Sequence, residues 1–149
     1  MKQILFILLL LISVQGVSAR KVVRKPSTDI KGCKWTLVTL KNDKVGADSV
    51  KFRVQPYIQF LPDENHFSGH SGCNSFGGTY EFTGKNHLRL YDIISTKMAC
   101  LGQGDVERNL LQVLRVADYY TLSGKTLTLF DAKSQPLAVF ELRETKKQK

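Results

Sequence analysis

Short apolar runs separated by turn residues are the feature that most constrains the fold of this 149-residue chain. Ile58 and Phe60 lie two residues apart and would share one face of a strand, and Leu88 and Leu90 repeat the spacing. Runs of this kind, joined by turn-forming residues, are typical of a β barrel or sandwich. We therefore predict a mainly β (α+β) fold, a compact antiparallel β barrel with one packed α-helix.

The strand boundaries follow from where the apolar runs meet turn residues. Gly77–Gly78 is expected to interrupt a strand, and Asp43–Gly46 to form a turn or loop. Residues 83–86 and 123–125 have the composition of hairpin connections, whereas the strand state of 50–54 stays open. Strands are expected over residues 35–41, 57–61, 66–69, 79–82, 119–122, 126–130 and 137–142.

One segment has helical rather than strand spacing. Asp105 can cap a helix through its side-chain oxygen, and a helix is predicted from Asp105 to Val116. Mostly antiparallel strands with one helix do not form βαβ units, which argues against a Rossmann-like nucleotide site. The apolar residues that share one face of this helix are Val106, Leu110, Val113, Leu114 and Ala117.

The first nineteen residues have the pattern of a secretory signal peptide. A charged start at Lys2 precedes an apolar run, and Val17 and Ala19 are small residues of the type that a signal peptidase reads. The apolar run is too short for a membrane anchor, which needs about 20 apolar residues. We predict cleavage after Ala19 and export to the periplasm or cell envelope. A lipid-anchored form is disfavoured because the next cysteine, Cys33, lies well past the expected cut.

The formal charge of +9 is concentrated in two tails, residues 20–30 and 143–149. Between Asp29 and Leu142 there are 13 Lys and Arg against 12 Asp and Glu, so the folded part is nearly neutral. A nucleic-acid-binding domain usually clusters its basic residues on one face, and we expect no nucleic-acid partner. The basic tails imply at most a weak attraction to an anionic membrane surface, and we expect a monomer.

Residues that lie close together in the sequence offer three candidate chemistries. His66 and His70 would be about 13 Å apart on an extended strand, too far for one zinc ion that holds nitrogen at about 2.1 Å. Ser71 has Cys73, and not glycine, two residues later, and a strand instead of a helix is predicted next, whereas a hydrolase nucleophile elbow requires that glycine and a strand-to-helix turn. Cys73 with His70 could form a thiol–imidazole pair, although the cysteines of exported proteins more often form disulfides. We therefore expect no metal, no cofactor and no catalytic residue.

Two segments resemble the signature of a known family. The first is a G-C-N-x-F-x-G-x-Y run over residues 72–80, and the second is a T-x-M-A-C run over residues 96–100. Together, in this order, they resemble the META domain, the HslJ-like family, over residues 31–142. The signature positions are Gly72, Cys73, Asn74, Phe76, Gly78, Tyr80, Thr96, Met98, Ala99 and Cys100.

The resemblance implies a largely antiparallel β barrel that carries a helix, with no established enzymatic activity. Family members are often exported or attached to the envelope, and the name-giving member is heat-inducible and associated with antibiotic resistance. The resemblance also implies that the two signature segments pack together, so that Cys73 and Cys100 form a disulfide and Cys33 stays a thiol. Glycines in the first segment suit bulges or sharp bends, and Asn74 suits a turn, so the motif is read as mainly structural.

Three hypotheses about function remain. The first is a non-enzymatic exported module that binds an unknown envelope protein or ligand and acts in envelope stress or antibiotic tolerance. The second is a lipocalin-like carrier, because closed barrels of about eight strands can either fill with side chains or enclose a small apolar ligand. The third is a thiol-dependent enzyme based on Cys73.

Overall fold

The structure is a computed structural model that describes residues 29–45, 52–62, 64–100 and 104–143. Within these residues it contains nine strands and one helix. The elements are β1 (Lys34–Leu40), β2 (Asp43–Lys44), β3 (Tyr57–Phe60), β4 (His66–His70), β5 (Ser75–Thr83), β6 (His87–Ser95), α1 (Gly104–Val116), β7 (Tyr119–Ser123), β8 (Thr126–Phe130) and β9 (Pro136–Leu142).

The strands form one antiparallel sheet that closes on itself. The order is β2-β1-β3-β4-β5-β6-β7-β8-β9, and β1 also pairs with β9 through positions such as Leu37–Phe140. Closure removes the open edges that a flat sheet would expose. The ladder described between β6 and β7 is the single pair His87–Tyr119, and α1 contacts β6, β1 and β9. The predicted antiparallel barrel with one helix is confirmed.

The barrel interior is filled by large apolar side chains. Trp35, Phe60 and Phe140 are fully buried, and the Trp35 indole N–H donates to the Ile30 carbonyl at 2.8 Å. Tyr80 and Phe82, two residues apart, share one face of β5, with ring centroids 5.0 Å apart. Full burial of a side chain of this size contributes about 1.5–3 kcal/mol, so the interior residues supply much of the folding free energy.

The glycine pair Gly77–Gly78 lies inside β5, so the prediction that it interrupts the strand is wrong. The register between β5 and β6 shifts between Gly77 and Thr79, which makes a β-bulge on β6, where Asp92 has a φ of 52°. A Cβ at Gly78 would lie 2.7 Å from the Tyr91 carbonyl oxygen. Glycine is therefore required here by the close approach of the neighbouring strand and not by a chain break.

The helix begins one residue earlier than predicted. Asp105 lies inside the first turn of α1, where it pairs with the Arg108 side chain, instead of capping the helix. An acidic residue at this position still interacts favourably with the helix dipole. The predicted apolar stripe is confirmed, since Leu110, Val113 and Leu114 are fully buried.

The segments between β1 and β3 differ in part from the prediction. Asp43–Lys44 pairs with the end of β1 as a two-residue strand, although a turn or loop was expected there. Residues 52–54 are described without strand structure. The predicted signal peptide over 1–19, the tail residues 20–28 and 144–149, and residues 50–51 lie outside the described residues. No helix in the described part of the chain is long and apolar enough to span a membrane.

Candidate functional site

A tight turn connects β4 to β5 and places Asn74 inside the protein. The Ser71 N–H donates to the Asn74 carbonyl at 2.8 Å, and the Asn74 N–H donates to Ser71 Oγ at 3.0 Å. Gly72 has a φ of 102°, and a Cβ there would lie 2.3 Å from the ring of Phe52. The turn thus requires glycine at position 72, and it directs the buried Asn74 side chain toward residues 96–98.

The Asn74 amide pairs with the chain that follows β6. Its Oδ1 accepts from the Met98 N–H at 2.7 Å and from Thr96 Oγ1 at 2.8 Å. Its Nδ2 donates to the Met98 carbonyl at 3.2 Å. One buried side chain therefore takes the place of a neighbouring strand for the backbone of Met98.

Glu107 links this arrangement to the helix. Its Oε2 accepts from Asn74 Nδ2 at 2.8 Å and lies 3.2 Å from Ser71 Oγ. Every polar atom of the Asn74 amide consequently has a partner, and no buried side-chain nitrogen or oxygen among the described residues lacks one. Satisfied buried networks of this kind hold a unique local geometry, because an unpaired member would be costly.

A disulfide joins the same two segments. Cys73 is bonded to Cys100, with their Cα atoms 5.9 Å apart, so the predicted pairing is present in the structure. Cys33 is half-buried at the border of the core and lies outside the disulfide. Because Cys73 is half of the disulfide, the hypothetical thiol–imidazole pair with His70 is not formed in this structure.

Thr96, Lys97, Met98 and Ala99 form an extended, exposed segment, which we call the exposed segment. The Met98 residue is 61% exposed although its backbone is held from within. A groove of about 500 Å³ lies between the exposed segment and Glu107 and Arg108 of α1. A second groove, of about 560 Å³, is lined by Met98 and Ala99 of the same segment together with Arg53 and His70. The exposed segment therefore borders two grooves.

The backbone groups of this region alternate in direction. Ser95 is paired with Phe76, and the Thr96 N–H donates to the Ser75 carbonyl at 3.0 Å. In an antiparallel ladder this pattern makes Ser95–Phe76 a non-hydrogen-bonded pair, so the Ser95 N–H and carbonyl point away from β5. No described residue hydrogen-bonds to the Lys97 N–H or carbonyl, which continue the same alternation.

His70 borders the second groove. Its Nδ1 accepts from the Gly72 N–H at 3.0 Å, and its ring stacks on Tyr57, with centroids 6.5 Å apart. Burial lowers the pKa of His70, Lys34 lowers it further, and Glu107 acts in the opposite direction. A neutral imidazole is needed for the bond that Gly72 donates, so His70 acts as a structural acceptor.

The structure brings some of the predicted signature residues together and separates others. Phe76 packs against Phe67, with centroids 6.3 Å apart, and the Tyr80 hydroxyl donates to the Leu61 carbonyl at 2.7 Å; both support the core. His66, which the sequence presents with His70 as a possible zinc ligand, has its Nδ1 3.8 Å from the Glu64 Oε2. No group of His, Cys, Asp and Glu among the described residues could hold a metal ion. The signature residues at the site are Gly72, Cys73, Asn74, Thr96, Met98, Ala99 and Cys100.

Sequence reasoning missed three residues of the site. The sequence presents Ser71 only as a possible nucleophile and Glu107 only as an acidic residue of the predicted helix, and it links neither residue to Asn74. Lys97 stands at the unspecified position of the T-x-M-A-C run, so the run itself gives no indication of a role for it. The i, i+3 spacing of Ser71 and Asn74 could have indicated a side-chain-bonded turn.

Comparison with known proteins agrees with the fold. The family model described as the META domain matches residues 28–144. An NMR structure of a protein from Burkholderia xenovorans is similar with a TM-score of 0.62 and 19% identity, over 78% of this chain and 85% of that one. A crystal structure of a DUF4847 family protein from Bacteroides vulgatus ATCC 8482 is similar with a TM-score of 0.56 and 15% identity, over 78% and 96% of the two chains. No curated protein matches the sequence.

Proposed function

We propose that this chain, which belongs to the META domain family, is an exported, non-enzymatic module that binds a protein partner through the exposed segment Thr96–Ala99. The partner adds a strand or extended segment beside residues 95–98 and contacts the side chains of Lys97 and Met98. In the envelope, this binding serves the stress response that the family resemblance implies.

The main support for the proposal is that a buried side chain, Asn74, holds the exposed segment in place through hydrogen bonds. The side-chain amide of Asn74 bonds to Thr96, Met98 and Glu107, and the residue Asn74 is only 3% exposed. The hydrogen bonds hold a segment whose own side chains contribute little to the core. Holding a binding segment in its bound conformation before contact reduces the entropy that association would otherwise cost.

The free backbone groups indicate how a partner would engage. The N–H and carbonyl of Ser95 point away from β5, and those of Lys97 bond to no described residue. An extended peptide can pair with such groups by β-augmentation, in which main-chain hydrogen bonds give affinity and side chains give specificity. Ile94, which is 76% exposed, supplies apolar area next to these groups.

The two other hypotheses have less support. A lipocalin-like carrier needs interior space, but Trp35, Phe60 and Phe140 occupy the barrel interior. A thiol enzyme needs a Cys73 thiolate, but Cys73 is bonded to Cys100. Disulfides persist in oxidising compartments, so this bond supports export to the periplasm or envelope.

The binding proposal is tested by photo-crosslinking in the producing cell. A photoreactive amino acid is placed at Met98 in one variant and at Lys133 in a control variant, since Lys133 is also exposed and lies in the β8–β9 turn, outside the site. We expect a discrete adduct from position 98 and none from position 133. No adduct from position 98, or the same adducts from both positions, would contradict a partner at the exposed segment.

The export proposal is tested by the intact mass of the protein recovered from the envelope fraction. We expect a chain that begins at Arg20 and is two hydrogen masses lighter than the fully reduced form. A retained Met1 or an acylated cysteine would contradict cleavage after Ala19.

A further inference from the structure

We propose that the exposed segment Thr96–Ala99 is an inhibitory loop for a serine protease of trypsin-like specificity, with Lys97 entering the protease's primary specificity pocket. The inference rests on the proposed function and names the class of its partner. The protease would recognise Lys97–Met98 as a peptide bond to be cleaved but would be held in the complex.

A serine protease imposes a definite backbone pattern on the chain that it binds. The segment lies extended along the enzyme as an added antiparallel strand. The residue before the cleavable bond directs its carbonyl into the oxyanion hole and its side chain into the specificity pocket. That residue and the one two positions earlier must therefore have unoccupied N–H and carbonyl groups, whereas the residue between them can bond to its own scaffold.

Residues 95–98 show this alternation. The backbone groups of Ser95 point away from β5, and those of Lys97 bond to no described residue, so both are available to an enzyme strand. Thr96, between them, is bonded to the scaffold through its N–H to Ser75 and its hydroxyl to Asn74. The pattern places Lys97 immediately before the bond that the protease would attack.

The hydrogen bonds of Asn74 exclude Met98 as the residue before the attacked bond, although Met98 has an exposed apolar side chain. The Met98 N–H and carbonyl are both taken by the Asn74 amide, at 2.7 and 3.2 Å. A carbonyl held in this way cannot enter the oxyanion hole without breaking the Asn74 bond. The exposed Lys97 side chain selects an enzyme with an aspartate in its specificity pocket, which is the trypsin-like arrangement.

The structure also explains why such a complex would inhibit the enzyme instead of yielding a product. Attack by the enzyme's serine hydroxyl on the Lys97 carbonyl carbon forms an ester and breaks the bond to the Met98 nitrogen, which takes up the proton from the enzyme's histidine. That nitrogen stays beside the ester, because Asn74 holds both Thr96 and Met98. The amine therefore re-forms the amide faster than it departs, since a tethered nucleophile has a high effective concentration.

The Cys73–Cys100 disulfide holds the chain on the far side of the attacked bond. Cys100 lies two residues beyond Met98, and Cys73 precedes Asn74 directly. Both sides of the bond are thus fixed to the same turn between β4 and β5. Reduction of the disulfide should convert the loop from an inhibitor into a substrate.

The test measures trypsin activity on a small chromogenic substrate while the purified, oxidised protein is added. We expect competitive inhibition that weakens by roughly 100-fold or more in Lys97→Ala, because a buried anchor residue of this kind dominates binding. Lys97→Arg should keep the inhibition of trypsin, and Lys97→Tyr should transfer it to chymotrypsin. The matched control is Lys133→Ala, in an exposed turn outside the site, which should inhibit like the unmodified chain.

Mass spectrometry after quenching and reduction follows cleavage at Lys97–Met98 separately from cleavage at other basic residues. We expect this bond to be cut slowly in the oxidised protein and rapidly after reduction. The inference is overturned by no inhibition at a large excess over trypsin, by inhibition that Lys97→Ala leaves unchanged, or by rapid cleavage of Lys97–Met98 in the oxidised chain.

The two proposals fail separately. An adduct from position 98 in cells together with no inhibition of trypsin would overturn the protease assignment and leave the binding module standing. If neither the adduct nor the inhibition is found, both proposals fail. A far-ultraviolet spectrum and melting curve of each Lys97 variant show that it is folded, so that a loss of inhibition is a loss of the contact.

Discussion

The side-chain amide of Asn74 pairs with the backbone of Met98 as a neighbouring strand would. Oδ1 accepts from the Met98 N–H at 2.7 Å, and Nδ2 donates to the Met98 carbonyl at 3.2 Å. The two residues are 24 positions apart in the chain and come from its two signature segments. The conformation of the exposed segment is therefore decided at a buried asparagine.

Asn74→Asp should destabilise the protein by about 2–3 kcal/mol at neutral pH, because a buried donor becomes an acceptor. The new carboxylate would face the Glu107 carboxylate and the Met98 carbonyl. In the unmodified protein both of these groups accept a hydrogen bond from Asn74 Nδ2. The loss should shrink between about pH 7 and about pH 4, because two carboxylates that face each other can share one proton, which restores a donor. Urea unfolding at both pH values checks this, with Asn86→Asp in the exposed β5–β6 turn as the control. Equal losses in the two variants would contradict the buried role of Asn74.

Replacing Cys73 and Cys100 together by serine should lower the free energy of unfolding by about 3–4 kcal/mol in the chain-entropy model. The disulfide closes a loop between residues 27 positions apart. Cys33→Ser, at the border of the core, should cost less and serves as the control. Denaturant titration of oxidised proteins gives both values.

Thiol labelling checks the same disulfide independently. Under denaturing, non-reducing conditions, one maleimide should attach per chain, and peptide mapping should place it at Cys33. Three labels per chain would show that the disulfide does not form, and a label at Cys73 or Cys100 would show that the pairing is different.

Leu114→Ala should destabilise the protein by about 2–5 kcal/mol, the usual range for a buried leucine. Leu114 is fully buried where α1 packs on the barrel. Arg108→Ala, on the exposed side of the same helix, should change stability by about 0.5 kcal/mol or less, because its ion pair with Asp105 is at the surface. Thermal melts of the two variants measure the contrast, and equal shifts would mean that the helix docks through another face.

Stability should fall as the pH is lowered below about 6.5, and His70 should cause part of this fall. Burial and Lys34 lower the pKa of His70 in the folded protein. The unfolded chain therefore binds the proton first, and the stabilising contribution present above the unfolded pKa is lost as the pH falls through the lower folded pKa. In His70→Gln this part of the slope should disappear. Urea midpoints at about pH 7.5 and 5.5 measure it, and an unchanged slope in the variant would contradict the assignment.

Much of the barrel could be predicted because strand and helix periodicities are local. Ile58 and Phe60 are buried on one face of β3, and Leu110 and Leu114 are buried on one face of α1, as their spacing indicates. The error at Gly77–Gly78 has a non-local cause. A glycine pair is a turn signal when only its own segment is considered, but here it makes room for the Tyr91 carbonyl of the adjacent strand. The misplaced Asp105 reflects the one-residue uncertainty that is common at helix ends.

The sequence alone determined which segments are strands, which residues form the helix stripe and which two motifs carry the family resemblance, because each of these depends on residues close together in the chain. Only the tertiary structure decided that Asn74 bonds to Met98 and Glu107, and that the backbone groups of Ser95 point away from β5. The outward direction depends on the register of β6 against β5, which is set at Ser95–Phe76. A shift of one residue would exchange the inward and outward groups, and no local pattern in the chain specifies that register.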